Sequence, residues 1–135
     1  MIIDASALLC AFFPDEAQGA VQGLLREHAA GRRRLQAPML LIYEMNNAVW
    51  QAERRGRISN LQAAEILQAV DGLGIELHAP EWGDSLELAR HVGCSVYDAT
   101  YLALGYKLNQ DMLTADKRLF NKLAGKLPWV SLLKG

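Results

Sequence analysis

Short apolar runs alternate with longer stretches of helical periodicity along the whole chain, and that alternation dictates the fold. Met1–Asp4 is an apolar run closed by an acid, and Leu35–Ala37, Ile75–His78, Asp111–Thr114 and Trp129–Leu132 read as further strands. Between them, apolar residues recur every three or four positions, as one face of a helix requires. Ser6–Phe13 reads as a first helix, and Pro14-Asp15-Glu16 opens a second that carries Ala17, Ala20, Val21, Leu24 and Leu25 on one stripe. Pro38 suits the first turn of a third helix, which runs to about Arg55 with Gly56 as its stop. Ser59 caps a fourth through about Val70; Trp82–Val92, Ser95–Lys107 and Asp116–Leu123 complete the set. Strands and helices alternating at this spacing demand right-handed crossovers and a parallel sheet covered on both faces. The expected architecture is α/β: a three-layer α/β/α sandwich around a mainly parallel, roughly five-stranded sheet.

A chain of 135 residues suits one domain, spanning residues 1–135, with a substantial core. Its 51% hydrophobic content excludes disorder, and two cysteines, Cys10 and Cys94, are too few for a disulfide scaffold and suit a reducing compartment. The apolar opening, Met1–Phe13, is interrupted by Asp4 and followed by Pro14. It is neither a membrane span nor a signal peptide, lacking a basic leader and a small-residue cleavage site. The expectation is a cytoplasmic protein without membrane contact. Formal net charge is −1, from 14 Lys+Arg against 15 Asp+Glu. That balance excludes a polybasic binder but hides a patchwork. Arg26, Arg32, Arg33, Arg34, Arg54, Arg55 and Arg57 crowd one stretch, residues 65–98 are acidic, and the chain turns basic again from Lys107.

In open parallel sheets, ligands gather at the carboxyl ends of the strands. Asp4 ends the first strand, Asp116 follows the fourth, and Asp98 lies in the first turn of the helix opened by Ser95. These carboxylates should therefore face one crevice. Glu44 shares the helical face of Leu40, Leu41 and Ala48, with Asn47 one turn on. Each acid has an ordinary reading. Asp4 or Ser6 caps the first helix, Asp116 caps its own, Ser95-Val96-Tyr97-Asp98 forms a capping box, and Glu44 snorkels from the edge of the stripe. Yet a short apolar strand seldom ends in a semi-buried acid without a partner, and no lysine or arginine lies nearby in sequence to pair Asp4 or Glu44.

Clustered carboxylates repel one another unless they protonate or a cation neutralises them. A hard divalent ion, Mg²⁺ or Mn²⁺, in one or two copies, takes oxygen ligands and suits metal-assisted phosphodiester hydrolysis. Ser6 and Thr114, each two residues from a candidate acid, are placed to orient ligands or water.

Met1-Ile2-Ile3-Asp4-Ala5-Ser6, Tyr43-Glu44 with Asn47, Ser95-Val96-Tyr97-Asp98-Ala99 and Leu113-Thr114-Ala115-Asp116 resemble, in order and across the whole chain, the signature blocks of PIN-domain ribonucleases. The likeness is to the VapC-like toxins of type II toxin–antitoxin modules. It implies a PIN-like α/β/α fold, Mg²⁺- or Mn²⁺-dependent endoribonuclease activity, a homodimer, and a cognate antitoxin that blocks the acidic pocket. On this resemblance Asp4, Glu44, Asp98 and Asp116 fall on the family's acidic quartet, with Ser6 and Thr114 as its polar companions. Some relatives carry a further acid after the last one, where this chain has Lys117, Arg118 and Asn121.

Lys117 and Arg118, beside Asp116, are the cations best placed to hold RNA phosphates; Arg32, Arg33 and Arg34 could steer RNA from farther away or serve as a solvated helix end. His28, His78 and His91 precede no candidate site, so no histidine base is expected. Trp50 points outward along the Glu44 helix and suits a dimer or antitoxin contact. Other readings fit less well. A covalent-aspartate phosphatase wants an acid where Ser6 stands, and a receiver domain wants one where His78 stands. A housekeeping RNA-processing nuclease and a non-catalytic interaction module remain the alternatives.

Overall fold

The computed structural model describes residues 1–123 and 126–135. Its elements, in chain order, are β1 (Ile2–Ile3), α1 (Ala5–Leu9), α2 (Gln18–Ala29), β2 (Gln36–Pro38), α3 (Leu40–Arg54) and α4 (Asn60–Gly72). They continue with β3 (Glu76–His78), α5 (Asp84–Val92), α6 (Val96–Leu108), β4 (Met112–Thr114), α7 (Lys117–Lys122) and β5 (Val130–Leu132). The strands form one five-stranded sheet in the order β3-β2-β1-β4-β5, and all the pairings are parallel. The expected α/β fold and its parallel sheet are therefore present.

Both faces of this sheet are covered. Successive strand residues point to opposite faces, and the neighbours Ile2 and Ile3 are each 0% exposed. Met112, Leu113 and Thr114 are likewise all buried. The centre of the sheet thus reads as a continuous apolar run, as a doubly covered parallel strand must. α6 crosses β1, β2 and β4, and it lies close to the end of the chain. A Cβ on Gly105 would stand 2.7 Å from the Trp129 ring and 3.2 Å from the Gln110 carbonyl oxygen. Only glycine allows that approach without displacement.

Several boundaries differ from the sequence expectation, each for a local reason. The first helix ends at Leu9 instead of Phe13, because the chain tightens into three-residue turns: Ala11 N–H donates to Leu8 O and Phe12 N–H to Leu9 O. The second begins at Gln18, after the Asp15 carboxylate accepts from Ala17 N–H at 2.8 Å and holds residues 15–17 in a side-chain-closed turn. Pro38 ends β2 instead of opening α3. The next residue, Met39, supplies the N–H that bonds to His78 O at 2.9 Å, so the donor proline lacks is not missed there. Gly83, with φ of 88°, delays α5 to Asp84.

His28 has a structural role. Its Nδ1 accepts the Leu35 N–H at 3.0 Å, which leaves the proton on Nε2, and Nε2 donates to Leu73 O at 2.8 Å. One imidazole thereby joins α2, the entry to β2 and the residue that ends α4. Among the described residues, no helix is long and apolar enough to cross a membrane.

Candidate active site

β1 and β4 are neighbours in register, Ile3 opposite Leu113, so Asp4 and Thr114 leave the sheet side by side. Asp4 N–H donates to Leu113 O at 3.2 Å. The Asp4 side chain caps α1, accepting from Ala7 N–H on Oδ1 at 2.9 Å. The Ser6 hydroxyl donates to the same oxygen at 2.6 Å, and the Thr114 hydroxyl donates to Oδ2. Each hydroxyl has a single proton, now committed to Asp4, so the 3.2 Å contact between the Ser6 and Thr114 oxygens carries no further hydrogen bond. Both instead accept from the chain leaving β4: Ser6 from Ala115 N–H at 2.9 Å, Thr114 from Asp116 N–H at 3.1 Å. Capping and site-building are one arrangement here. The Oδ1 of Asp4 has both lone pairs filled, and Oδ2 keeps one free.

The other acids follow the same pattern. Asp116 caps α7, with Oδ1 accepting from Arg118 N–H at 3.0 Å and Leu119 N–H at 3.1 Å. Glu44, half-buried on the flank of α3, accepts the Tyr101 hydroxyl on Oε1 at 2.6 Å. Ser95 caps α6 through Asp98 N–H at 3.0 Å, but the reciprocal bond of the expected capping box does not form. A full box occurs instead at Ser59 and Gln62. The Asp98 carboxylate is therefore not tied to the Ser95 backbone N–H, and its contact at the helix terminus is with the Ser95 side chain. Glu44 and Asp116 each have one oxygen fixed by the fold and the other open, while Asp4 is held through both oxygens and keeps one lone pair on Oδ2.

The four carboxylates feel one another. Burial pushes Asp4 above the usual carboxylate range, opposed by the Ser6, Thr114 and Ala7 hydrogen bonds and reinforced by the charge of Asp116. Burial also raises Glu44, with Asp4 and Asp98 adding to it. Asp98 is raised by burial first, opposed by the Ser95 hydrogen bond and the Lys122 charge and reinforced by Asp116. Negative charge collects where sequence spacing places the acids, offset at Asp98 by Lys122. Among the described residues no three acidic, histidine or cysteine side chains are close enough to cage an ion. The donor set, hard carboxylate oxygens with open positions, fits an ion held through one or two carboxylates, waters and a substrate phosphate, the ordinary habit of Mg²⁺. One or two of Asp4 (through Oδ2), Glu44, Asp98 and Asp116 are the groups that would hold it.

Other predicted residues are placed less centrally. Lys117 and Arg118 are exposed on the first turn of α7, beside Asp116. Arg32, Arg33 and Arg34 precede β2, on the edge of the parallel sheet opposite the carboxyl ends, and are not brought to the acids. Arg33 pairs with Glu27 at 2.7 Å and Arg34 with Glu76 at 2.6 Å. Asn47 is exposed and, among the described residues, makes no hydrogen bond to the acids. Tyr101, which holds Glu44, was not singled out in the sequence. Its position three residues after Asp98, on the same face of a helix, was the available signal.

Residues 1–126 match the PIN domain family. The chain belongs to the PIN domain family. This PIN domain is 29% identical to a protein of Pyrobaculum aerophilum named Ribonuclease VapC3 over 126 residues, covering 90% of this chain and 93% of the relative. It is 30% identical to Exonuclease VapC9 of the same organism over 102 residues, 76% of this chain and 77% of the relative. Its fold matches the crystal structure of PAE2754 from Pyrobaculum aerophilum with a TM-score of 0.71 and 25% identity, covering 90% of this chain and 77% of that one.

A pH dependence follows from the raised carboxyls. Groups that bind protons more tightly folded than unfolded make the folded state gain stability as pH falls through their raised range; the penalty is fully present above it. In EDTA, the thermal midpoint of this PIN domain should rise by a few degrees between neutrality and mild acid. Asp98→Asn should flatten that rise. A midpoint that climbs with pH over the same window would contradict it.

Proposed function

We propose that this PIN domain is a metal-dependent endoribonuclease that hydrolyses RNA phosphodiester bonds at the Asp4–Glu44–Asp98–Asp116 crevice, as the toxin of a toxin–antitoxin pair. The observation that carries the reading is the set of carboxylates at the carboxyl end of the sheet, whose fold-tied oxygens leave other lone pairs open. The raised proton affinities of Asp4, Glu44 and Asp98 mark charge that a cation would relieve. A bound Mg²⁺ or Mn²⁺ supplies Lewis acidity, lowering the pKa of water and polarising the phosphoryl oxygen. The protein's own part is orientation. Ser6 and Thr114 lock the Asp4 carboxylate with one lone pair outward, and Tyr101 does the same for Glu44 from the opposite helix.

Lys117 and Arg118, exposed beside Asp116, would meet the phosphates flanking the scissile bond and offset the repulsion between RNA and the acids. The VapC names of the relatives support RNA as substrate and an antitoxin as partner. A homodimer is in keeping with the exposed Trp50 on α3, 52% accessible, with the Arg54 guanidinium 5.7 Å from its ring centre.

The test is incubation with total RNA and with a circular RNA, in Mg²⁺ or Mn²⁺ and in EDTA, followed by mapping of the new ends. Opening of the circle with metal, and intact RNA in EDTA, is the expected result. Intact RNA in both conditions, or cleavage indifferent to EDTA, overturns the reading. Shortening of linear RNA with the circle untouched would replace the endonucleolytic mode with that named for VapC9.

A further inference from the structure

Tyr101 is 2% exposed, and its hydroxyl donates to Glu44 Oε1 at 2.6 Å, bridging α6 to α3. An isolated buried phenol needs such a partner, but the choice of partner is informative. Asp98 lies three residues before Tyr101 on α6, about one helical turn away and on the same side. One rigid helix therefore presents both a site carboxylate and the hydroxyl that fixes a second. Glu44 has three side-chain torsions and sits at the edge of the α3 stripe, not within it: Leu41, Met45 and Val49 are buried and Glu44 is only half so. Packing alone does not select its rotamer. Arg or Lys in the role of Tyr101 would neutralise the carboxylate and compete with a metal. A phenol holds it without adding positive charge.

We infer that Tyr101 is a positioning residue, which orients Glu44 toward the crevice and sets its separation from Asp98, so that a divalent ion meets a preformed pair. This rests on the proposed metal-dependent reading. Groups that orient a metal ligand typically contribute 10–100-fold in affinity or activity, and Tyr101 is expected at the lower end, since it fixes one ligand among several.

The decisive variant is Tyr101→Phe, which keeps the ring and its packing and removes only the hydroxyl. Three readouts are needed: Mn²⁺ affinity by EPR of the free ion, kcat and KM on an RNA oligonucleotide, and the thermal midpoint in EDTA. The expected outcome is Mn²⁺ binding weakened about tenfold, kcat reduced by a similar factor, and KM and the midpoint nearly unchanged. In a Glu44→Gln background, Tyr101→Phe should then have no further effect on Mn²⁺ binding, because the residue it acts through is already altered. Wild-type Mn²⁺ affinity in Tyr101→Phe, or an equal loss with and without Glu44→Gln, overturns the inference while leaving the crevice as the metal site. Absence of Mn²⁺ binding by the unaltered protein overturns both.

Discussion

Asp98→Asn should reduce RNA cleavage by at least about 100-fold, since even residues that only orient a metal ligand are worth 10–100-fold, and should leave the fold intact. Of the four acids, Asp98 is the clean choice. Its cap is made by the Ser95 hydroxyl and its own backbone N–H, so an amide in its place leaves the cap intact and gives up only the Ser95 contact to the carboxylate. The substitution also removes a charge that burial and Asp116 disfavour more than Ser95 and Lys122 favour it, and stability should be nearly unchanged. Asp4→Asn is a poorer test, because an amide cannot accept the Ser6, Thr114 and Ala7 donors on both of its atoms. The measurements are initial cleavage rates in saturating Mg²⁺ and a urea unfolding curve. Expression of the unaltered chain should arrest bacterial growth and the Asp98→Asn chain should not. Undiminished cleavage by the variant would sink the carboxylate mechanism, and equal growth would sink the toxin assignment.

The acids were legible in the sequence because a parallel α/β alternation fixes where strand ends and helix starts meet. Asp4 closing an apolar run, Asp116 just past β4 and Asp98 just inside α6 need only that topology to converge. Glu44 was legible as a polar intruder on an apolar stripe. What periodicity could not convey was which carboxylate oxygen the fold occupies. That depends on contacts across long stretches of chain, such as Thr114 with Asp4 and Tyr101 with Glu44. Cap and proposed ligand are compatible roles: Asp4 and Asp116 are caps, and each keeps a lone pair that its cap does not use.

Charge runs were less informative than strand ends. Arg32, Arg33 and Arg34 looked like a phosphate grip because they are consecutive, yet they enter β2 at its start and lie on the far edge of the sheet, where Glu27 and Glu76 engage two of them. Helix starts failed where local side-chain chemistry overrode propensity, as at Asp15 and Pro38. The tie that His28 makes between Leu35 and Leu73 required the third dimension.

Thr114→Val should lower stability by about 2–3 kcal/mol at neutral pH, within the range for a hydrogen bond to a charged group lost from a buried site. Thr114 is 0% exposed, and valine matches its shape, so the change isolates the hydroxyl. That hydroxyl donates to Asp4 Oδ2 and accepts from Asp116 N–H; both groups lose a partner together. The sign of the pH dependence identifies the cause. The Thr114 bond is one of those holding the Asp4 proton affinity down against burial, so its removal pushes the Asp4 carboxyl further up. The deficit should then be largest where Asp4 is ionised and should shrink in mild acid, as the protonated carboxyl no longer needs the lost donor. Thr114→Ser restores the hydroxyl and should recover most of the loss, leaving only about 1 kcal/mol for the missing methyl group. Urea unfolding of the three proteins at neutral and mildly acidic pH measures this. A deficit independent of pH, or equal in the serine and valine variants, would mean that Thr114 acts through packing and that the Asp4 carboxylate is held by Ser6 and the α1 terminus alone.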